Sequence, residues 1–108
     1  MVNPWTGEVS LTLNGESQVL KLTLGALAEL EAQLDTGTLV QLVERFEARA
    51  FSTRDVLALI VAGLRGGGWR GQAADLIDAD IEGGPLEAAR VAAQLLARAF
   101  ALPDEGAA

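Results

Sequence analysis

The chain has 108 residues, half of them hydrophobic, and its 8 basic and 15 acidic residues give a formal net charge of −7. This length allows one domain with a modest core, and the acidic balance disfavours nucleic acid as a partner because phosphates would be repelled. Cysteine, histidine and tyrosine are absent, which excludes disulfides, thiolate metal sites and the commonest general base.

The sequence also argues against a membrane or secreted protein. No segment reaches the roughly 18 uninterrupted apolar residues that a membrane span needs. The first residues lack the basic and apolar regions of a secretion signal. We therefore expect a cytoplasmic protein without a membrane partner.

Residues 8–24 predict a β-hairpin. Hydrophobic and polar residues alternate on both sides of Asn14-Gly15, which is a strong turn signal. A loop of two or of four residues would place the same hydrophobic side chains on one face. These are Val9, Leu11, Leu13, Leu20, Leu22 and Leu24. An isolated hairpin is not stable in water, so this face must be covered.

The first two covering elements are predicted to be amphipathic helices. Apolar residues at helical spacing run from Leu24 to Leu34. A second helix is expected over residues 39–50, because Thr38 and Gln41 have the spacing of a capping box.

Three further helices are predicted. Ser52 is a favourable N-cap, and the uncharged run 56–64 that follows predicts a helix without a polar face. Such a helix is either central to the core or covered by a partner. A short helix is expected over residues 72–81. A longer helix is expected over residues 85–101, with Pro85 in its first turn.

Together these elements predict an α+β fold that is predominantly helical, with the N-terminal hairpin packed on four or five helices. We expect one domain over residues 1–102 and a disordered tail over 103–108. The apolar surface of the helices exceeds what so small a chain buries easily, which favours a protein partner.

An acidic run is the one candidate for a metal site. Asp75, Asp78, Asp80 and Glu82 could supply oxygen ligands to a divalent cation. They lack the spacing of a calcium-binding loop and fall on different helix faces. A solvated acidic surface is therefore the preferred interpretation, and a small carboxylate-based metal-binding protein remains a distant alternative.

The glycines at 66–68 do not match a phosphate-binding loop, because no lysine and hydroxyl residue follow them and they end a helix. Trp69 follows them, flanked by Arg65 and Arg70. The tryptophan either folds back onto the core or serves as an anchor at a protein interface, where Trp and Arg are enriched.

Several segments resemble a family encoded in gene transfer agent and phage tail gene clusters. They are GEVSLTL (7–13), LTLGALAELE (22–31), RFE (45–47), AGLRGGG (62–68) and EGG (82–84). The similarity extends over nearly the whole chain. Members of this family are described as tail assembly chaperones and, in some naming, as tail tube proteins.

The resemblance implies a non-enzymatic, cofactor-free tail assembly chaperone that binds the tape-measure protein before the tail tube polymerises. The host would be a bacterium carrying a gene transfer agent or prophage, and association with the virion or with further copies of the chain is an open alternative. A structural component associated with the tail tube is the second interpretation. It fits less well, because tube subunits generally need a larger β-structure than one hairpin.

We predict contact residues for a protein partner in two places. One is the glycine loop, because of its composition, and the other is the last helix, because of its excess apolar surface. These residues are Arg65, Trp69 and Arg70 in the loop, and Leu95, Leu96 and Phe100 on the helix.

Overall fold

The computed structural model describes residues 7–34 and 38–100. Two strands precede five helices. The elements are β1 (Val9–Leu13), β2 (Glu16–Leu20), α1 (Leu24–Gln33), α2 (Leu39–Glu47), α3 (Thr53–Gly66), α4 (Ala73–Ile77) and α5 (Gly84–Ala99). The predicted α+β, mostly helical fold is confirmed.

The hairpin forms with the shorter of the two loops considered. Val9 lies opposite Leu20 and Leu13 opposite Glu16, which leaves only Asn14 and Gly15 in the loop. Both have positive φ, 50° and 83°, as a type I′ turn requires. The hairpin is therefore shorter than predicted and ends at Leu20.

The first helix buries part of the predicted stripe, since Leu30 is buried and Leu34 packs against the core. Thr23 caps α1 by accepting a hydrogen bond from the backbone N–H of Ala26 at 3.1 Å. Ala26 and Leu30 are the buried residues of α1, whereas Leu24 is 84% exposed. Leu24 was expected on the apolar face of the hairpin and of the helix, and both expectations are wrong because it occupies the first turn beyond the strand.

The second helix is capped as predicted but ends early. The side chains and backbones of Thr38 and Gln41 form the reciprocal capping box. The helix ends at Glu47, where Arg49 adopts a positive φ of 58°, instead of continuing to residue 50. Leu42 is fully buried, and it anchors the helix to the core.

The third helix is the centre of the molecule. All six residues from Leu59 to Leu64 are buried, and α3 contacts α1, α4, α5 and β2. Its apolar circumference is thus covered from within the chain, which is the first of the two interpretations given above.

Glycine allows β2 to approach α3 closely. The N–H of Lys21 donates a hydrogen bond to the carbonyl oxygen of Gly63 at 2.9 Å. A Cβ atom on Gly63 would lie 2.7 Å from a methyl group of Leu95, and one on Gly67 would lie 1.9 Å from the carbonyl oxygen of Val19. These glycines are a packing requirement of the fold.

The fourth helix is only five residues long because the chain after it returns to the hairpin. Ile81 forms an isolated antiparallel bridge with Leu13. Asn14 N–H donates to the carbonyl oxygen of Asp80 at 2.8 Å, and Glu82 N–H donates to that of Thr12 at 3.0 Å. The predicted helix extended to residue 81. After Ile77, hydrogen bonds to the hairpin take the place of further helical hydrogen bonds.

The last helix packs against α3 and β1. Pro85 stands in its first turn, and Phe100 is its C-cap, close to the predicted bounds. The expected tail at 103–108 and the end of the predicted domain lie outside the described residues.

Candidate protein-binding surface

The glycine loop holds Trp69 against the body of the protein. The backbone N–H of Trp69 donates to the carbonyl oxygen of Leu64 at 2.8 Å, and the half-buried indole packs on the core. A Cβ atom on Gly71 would lie 2.1 Å from the indole ring. Because Gly71 has no side chain, the indole ring can occupy this position. Trp69 therefore folds back onto the core and does not project from the surface.

Arg65 and Arg70, the two arginines that flank Trp69 in the sequence, differ in their contacts within the chain. Arg65 forms an ion pair with Glu29 of α1, with Nη1 and Oε2 2.5 Å apart. Arg70 is exposed. A partner that contacts this loop therefore meets Arg70 directly, whereas Arg65 already neutralises a carboxylate of its own chain.

The three candidates on α5 are divided between core and surface. Leu95 and Leu96 are only 1% and 3% exposed and pack inside the chain, whereas Phe100 is 39% exposed. The position of the two leucines follows from α5 crossing both α3 and β1, which cover them. In this conformation only Phe100 of the three presents surface to a partner.

Large exposed hydrophobic residues occur at helix ends. Leu24 and Leu86 lie in the first turns of α1 and α5, Val40 lies in the first turn of α2, Ile77 ends α4, and Phe100 follows α5. Leu24 and Leu86 are more than four-fifths exposed. Exposed apolar side chains of this size are typical contact points for other proteins.

One ion pair is built into the fold and was not anticipated. Both oxygens of Asp55 accept hydrogen bonds from Arg45 of α2, each at 3.0 Å, and Asp55 also accepts from the N–H of Ser52. Burial opposes ionisation of Asp55, but these hydrogen bonds outweigh it, and the pKa of Asp55 is lowered. The pair fixes α2 to the start of α3.

Asp55 is the N3 residue of α3 and forms a capping box with Ser52, whereas its partner Arg45 lies ten positions earlier in the chain. The adjoining cavity of about 260 Å3 is lined by Arg45 and Asp55 themselves. Since these charges satisfy each other, the arrangement is structural.

The acidic run does not converge on a metal position. Asp75 accepts a hydrogen bond from the N–H of Gln72 at 2.8 Å, as the N3 residue of α4. The backbone N–H of Asp80 donates to Asn14 Oδ1 at 2.9 Å. Within residues 7–34 and 38–100, no three acidic side chains form a group that could hold a metal ion.

Comparison with known families identifies the chain. A sequence model of the family described as "Phage tail tube protein, GTA-gp10" matches residues 6–102. The chain belongs to this family. Searches of curated proteins and of solved structures gave no match.

Membership of this family supports a role in the tail of a phage or gene transfer agent, as the sequence segments implied. Its description names a tube protein, which favours the structural interpretation over the tail assembly chaperone expected first. Among the described residues no helix is long and apolar enough to cross a membrane. The family description also favours contacts with other tail proteins or among copies of the chain.

Proposed function

We propose that this protein is a non-enzymatic structural component associated with the tail tube of a gene transfer agent or related phage. The observation that carries the proposal is the family match over residues 6–102, which includes all the described elements. Assembly would take place in the cytoplasm of a bacterial host, and the protein would remain in the particle. It acts by binding neighbouring tail proteins and needs no cofactor.

The fold favours a component that attaches to the tube over one that forms its wall alone. The described part of the chain has one sheet of two strands, and one edge of it is partly occupied by Ile81. A closed β-wall needs a larger sheet with free edges. Exposed apolar residues at the helix ends, led by Leu24 and Leu86, supply the alternative contacts.

A second candidate is a tail assembly chaperone that binds the tape-measure protein. The same small sheet supports it, because a chaperone does not have to close a ring. Its acidic surface, with a net charge of −7, would keep a complex with an apolar helical client soluble. Helix-in-groove contacts would be the expected mode of binding.

Quantitative mass spectrometry of purified particles and of lysate complexes separates the two candidates. A constant ratio of this chain to the tube proteins in washed particles is the expected result for a structural component. Its absence from particles, combined with co-purification with the tape-measure protein from lysate, would establish the chaperone instead. Absence from both fractions would reject both functions.

A further inference from the structure

An open groove lies beside Trp69, between the hairpin and α4. Its volume is about 190 Å3. Leu13 and Leu76 contribute apolar walls together with the indole of Trp69, and Glu16 and Asp75 add two carboxylates. The two leucines are buried and the two acidic residues are exposed. Apolar side chains therefore form part of the floor of the groove, and polar side chains, which include Asn14 and Gln18, form the larger part of its lining.

The two charged side chains that line the groove are both acidic, and the exposed Arg70 lies next to its lining residues Trp69 and Gly71 in the chain. No lysine or arginine lines the groove, and the segment 71–89 contains five acidic residues and no basic one. Asp75 is held in place by the hydrogen bond from the N–H of Gln72. A positively charged group would therefore be attracted to the carboxylates of Glu16 and Asp75, of which Asp75 is fixed by this hydrogen bond.

The volume of the groove suits a single side chain better than a small organic ligand. Sites for small organic ligands usually measure about 300–1,000 Å3, which is more than this groove offers. A lysine or arginine side chain fits its chemistry, because the aliphatic stem packs on apolar walls while the charged head reaches carboxylates. The indole of Trp69 adds a favourable surface for a cation.

We propose that this Trp69 groove binds a lysine or arginine side chain from a basic segment of another tail protein. This rests on the proposed function, in which the chain works by binding other tail proteins. Trp69 then serves as a wall that receives a partner's side chain, in place of the interface anchor that was one of the two interpretations of its sequence context.

Charge makes another protein a better occupant than a second copy of this chain. Two copies each carry −7 and repel one another. Among the eight basic residues, Arg45, Arg65 and Arg90 form ion pairs within the chain, and Arg98 donates to the carbonyl oxygen of Glu8. Half of the cationic side chains thus already have partners within the chain.

A binding experiment with a model peptide tests the groove. The probe is a short amidated peptide of alternating lysine and leucine, and a glutamate-leucine peptide is its control. In a Trp5→Phe background, Trp69 is the one remaining tryptophan, so its fluorescence and its indole N–H resonance report on the groove. The lysine peptide should shift both signals to saturation, and the glutamate peptide should shift neither.

Two double variants with equal charge change test whether the groove itself is the site. Glu16→Gln with Asp75→Asn should weaken binding of the lysine peptide by about fivefold or more. Asp78→Asn with Glu82→Gln, which are exposed outside the groove, should change it by less than about twofold. Thermal melts confirm that both variants are folded, and the amide oxygen that Asp75→Asn introduces still accepts from the N–H of Gln72.

Three results would overturn the assignment. They are equal weakening by both double variants, binding that leaves the Trp69 signals unchanged, and a dimer of the free protein that the groove variant abolishes. The last would make a second copy the occupant. If the binding experiments reject the groove while the chain is still found in purified particles, the proposed function stands and only the groove assignment is wrong.

Discussion

Gly66 at the end of α3 lies directly against the backbone of Lys21, whose carbonyl oxygen would be 1.9 Å from a Cβ atom at this position. The contact cannot relax by a side-chain rotation, because the obstructing atom belongs to the main chain. Gly66→Ala should therefore separate β2 from α3 and lower the free energy of unfolding by about 1–3 kcal/mol. Urea denaturation measures this change.

Gly25→Ala is the matched control for Gly66→Ala. Gly25 also lies within a helix, but a Cβ atom there would meet nothing within 4 Å. Alanine at this position should raise the free energy of unfolding by up to about 1 kcal/mol, because glycine is the poorer helix former. Equal stability of the two variants would show that the close approach of β2 and α3 is not what position 66 requires.

The ion pair between Arg45 and Asp55 should make a measurable contribution to stability. Asp55→Ala removes the acceptor of two hydrogen bonds from Arg45 and one from Ser52. Since Arg45 is still 30% exposed, water compensates it in part, and we expect a loss of about 2–4 kcal/mol. Glu47→Ala, an exposed change on α2, the helix of Arg45, should stay within about 0.5 kcal/mol.

Asp55 should also contribute to the pH dependence of stability. Its pKa is lowered in the folded protein from an ordinary value of 3.8, so the unfolded chain binds the proton more readily. The stabilisation is complete above the unfolded pKa and is lost as the pH falls through the lower folded pKa. Asp55→Asn should be less stable than the wild type near neutral pH, and the difference should shrink below about pH 4. A difference that stays constant down to about pH 3 would contradict this assignment.

Local signals in the sequence predicted much of the fold. The Asn14-Gly15 turn is determined by two adjacent residues. The capping box of Thr38 and Gln41 involves residues three positions apart. Both are therefore readable without knowledge of the tertiary structure. The absence of a polar face predicted that α3 is either central to the core or covered by a partner, and the structure shows the first.

Contacts between distant residues account for what could not be predicted. The helix α4 ends early because Asp80 is hydrogen-bonded to Asn14, 66 positions away. The place of Trp69 depends on Gly71 and on a groove formed with the hairpin, and the burial of Leu95 depends on α5 crossing α3. None of these contacts leaves a periodic pattern in the chain.

Asn14 should stabilise the protein through two separable effects. Its positive φ of 50° favours Asn or Gly, and its Oδ1 accepts a hydrogen bond from the N–H of Asp80. Asn14→Gly keeps the positive φ but removes the hydrogen bond and raises the entropy of the unfolded chain, and it should cost about 0.5–1.5 kcal/mol. Asn14→Ala adds backbone strain of about 1 kcal/mol. Denaturant unfolding gives both values, and faster amide exchange at Asp80 in both variants would confirm the lost bond.

Substitutions at Leu95 in α5 and at Phe100, its C-cap, separate effects on folding from effects on partner binding. Leu95 is 1% exposed, so Leu95→Ala should leave a cavity and lower the free energy of unfolding by about 2–5 kcal/mol. Phe100 is 39% exposed, and Phe100→Ala should cost less than about 1 kcal/mol. If Phe100 is a contact residue, its variant should also reduce the amount of the chain recovered with other tail proteins.

Pull-down from lysate at a temperature where both variants remain folded completes this comparison. Leu95→Ala should then bind its partners normally, because its side chain offers them no surface, and Phe100→Ala should bind less. Leu86→Ala tests a second candidate contact, since Leu86 is 83% exposed at the opposite end of α5, and it should also reduce recovery. Normal recovery of Phe100→Ala would remove Phe100 from the candidate contacts, and impaired recovery of a folded Leu95→Ala would indicate that α5 opens when partners bind.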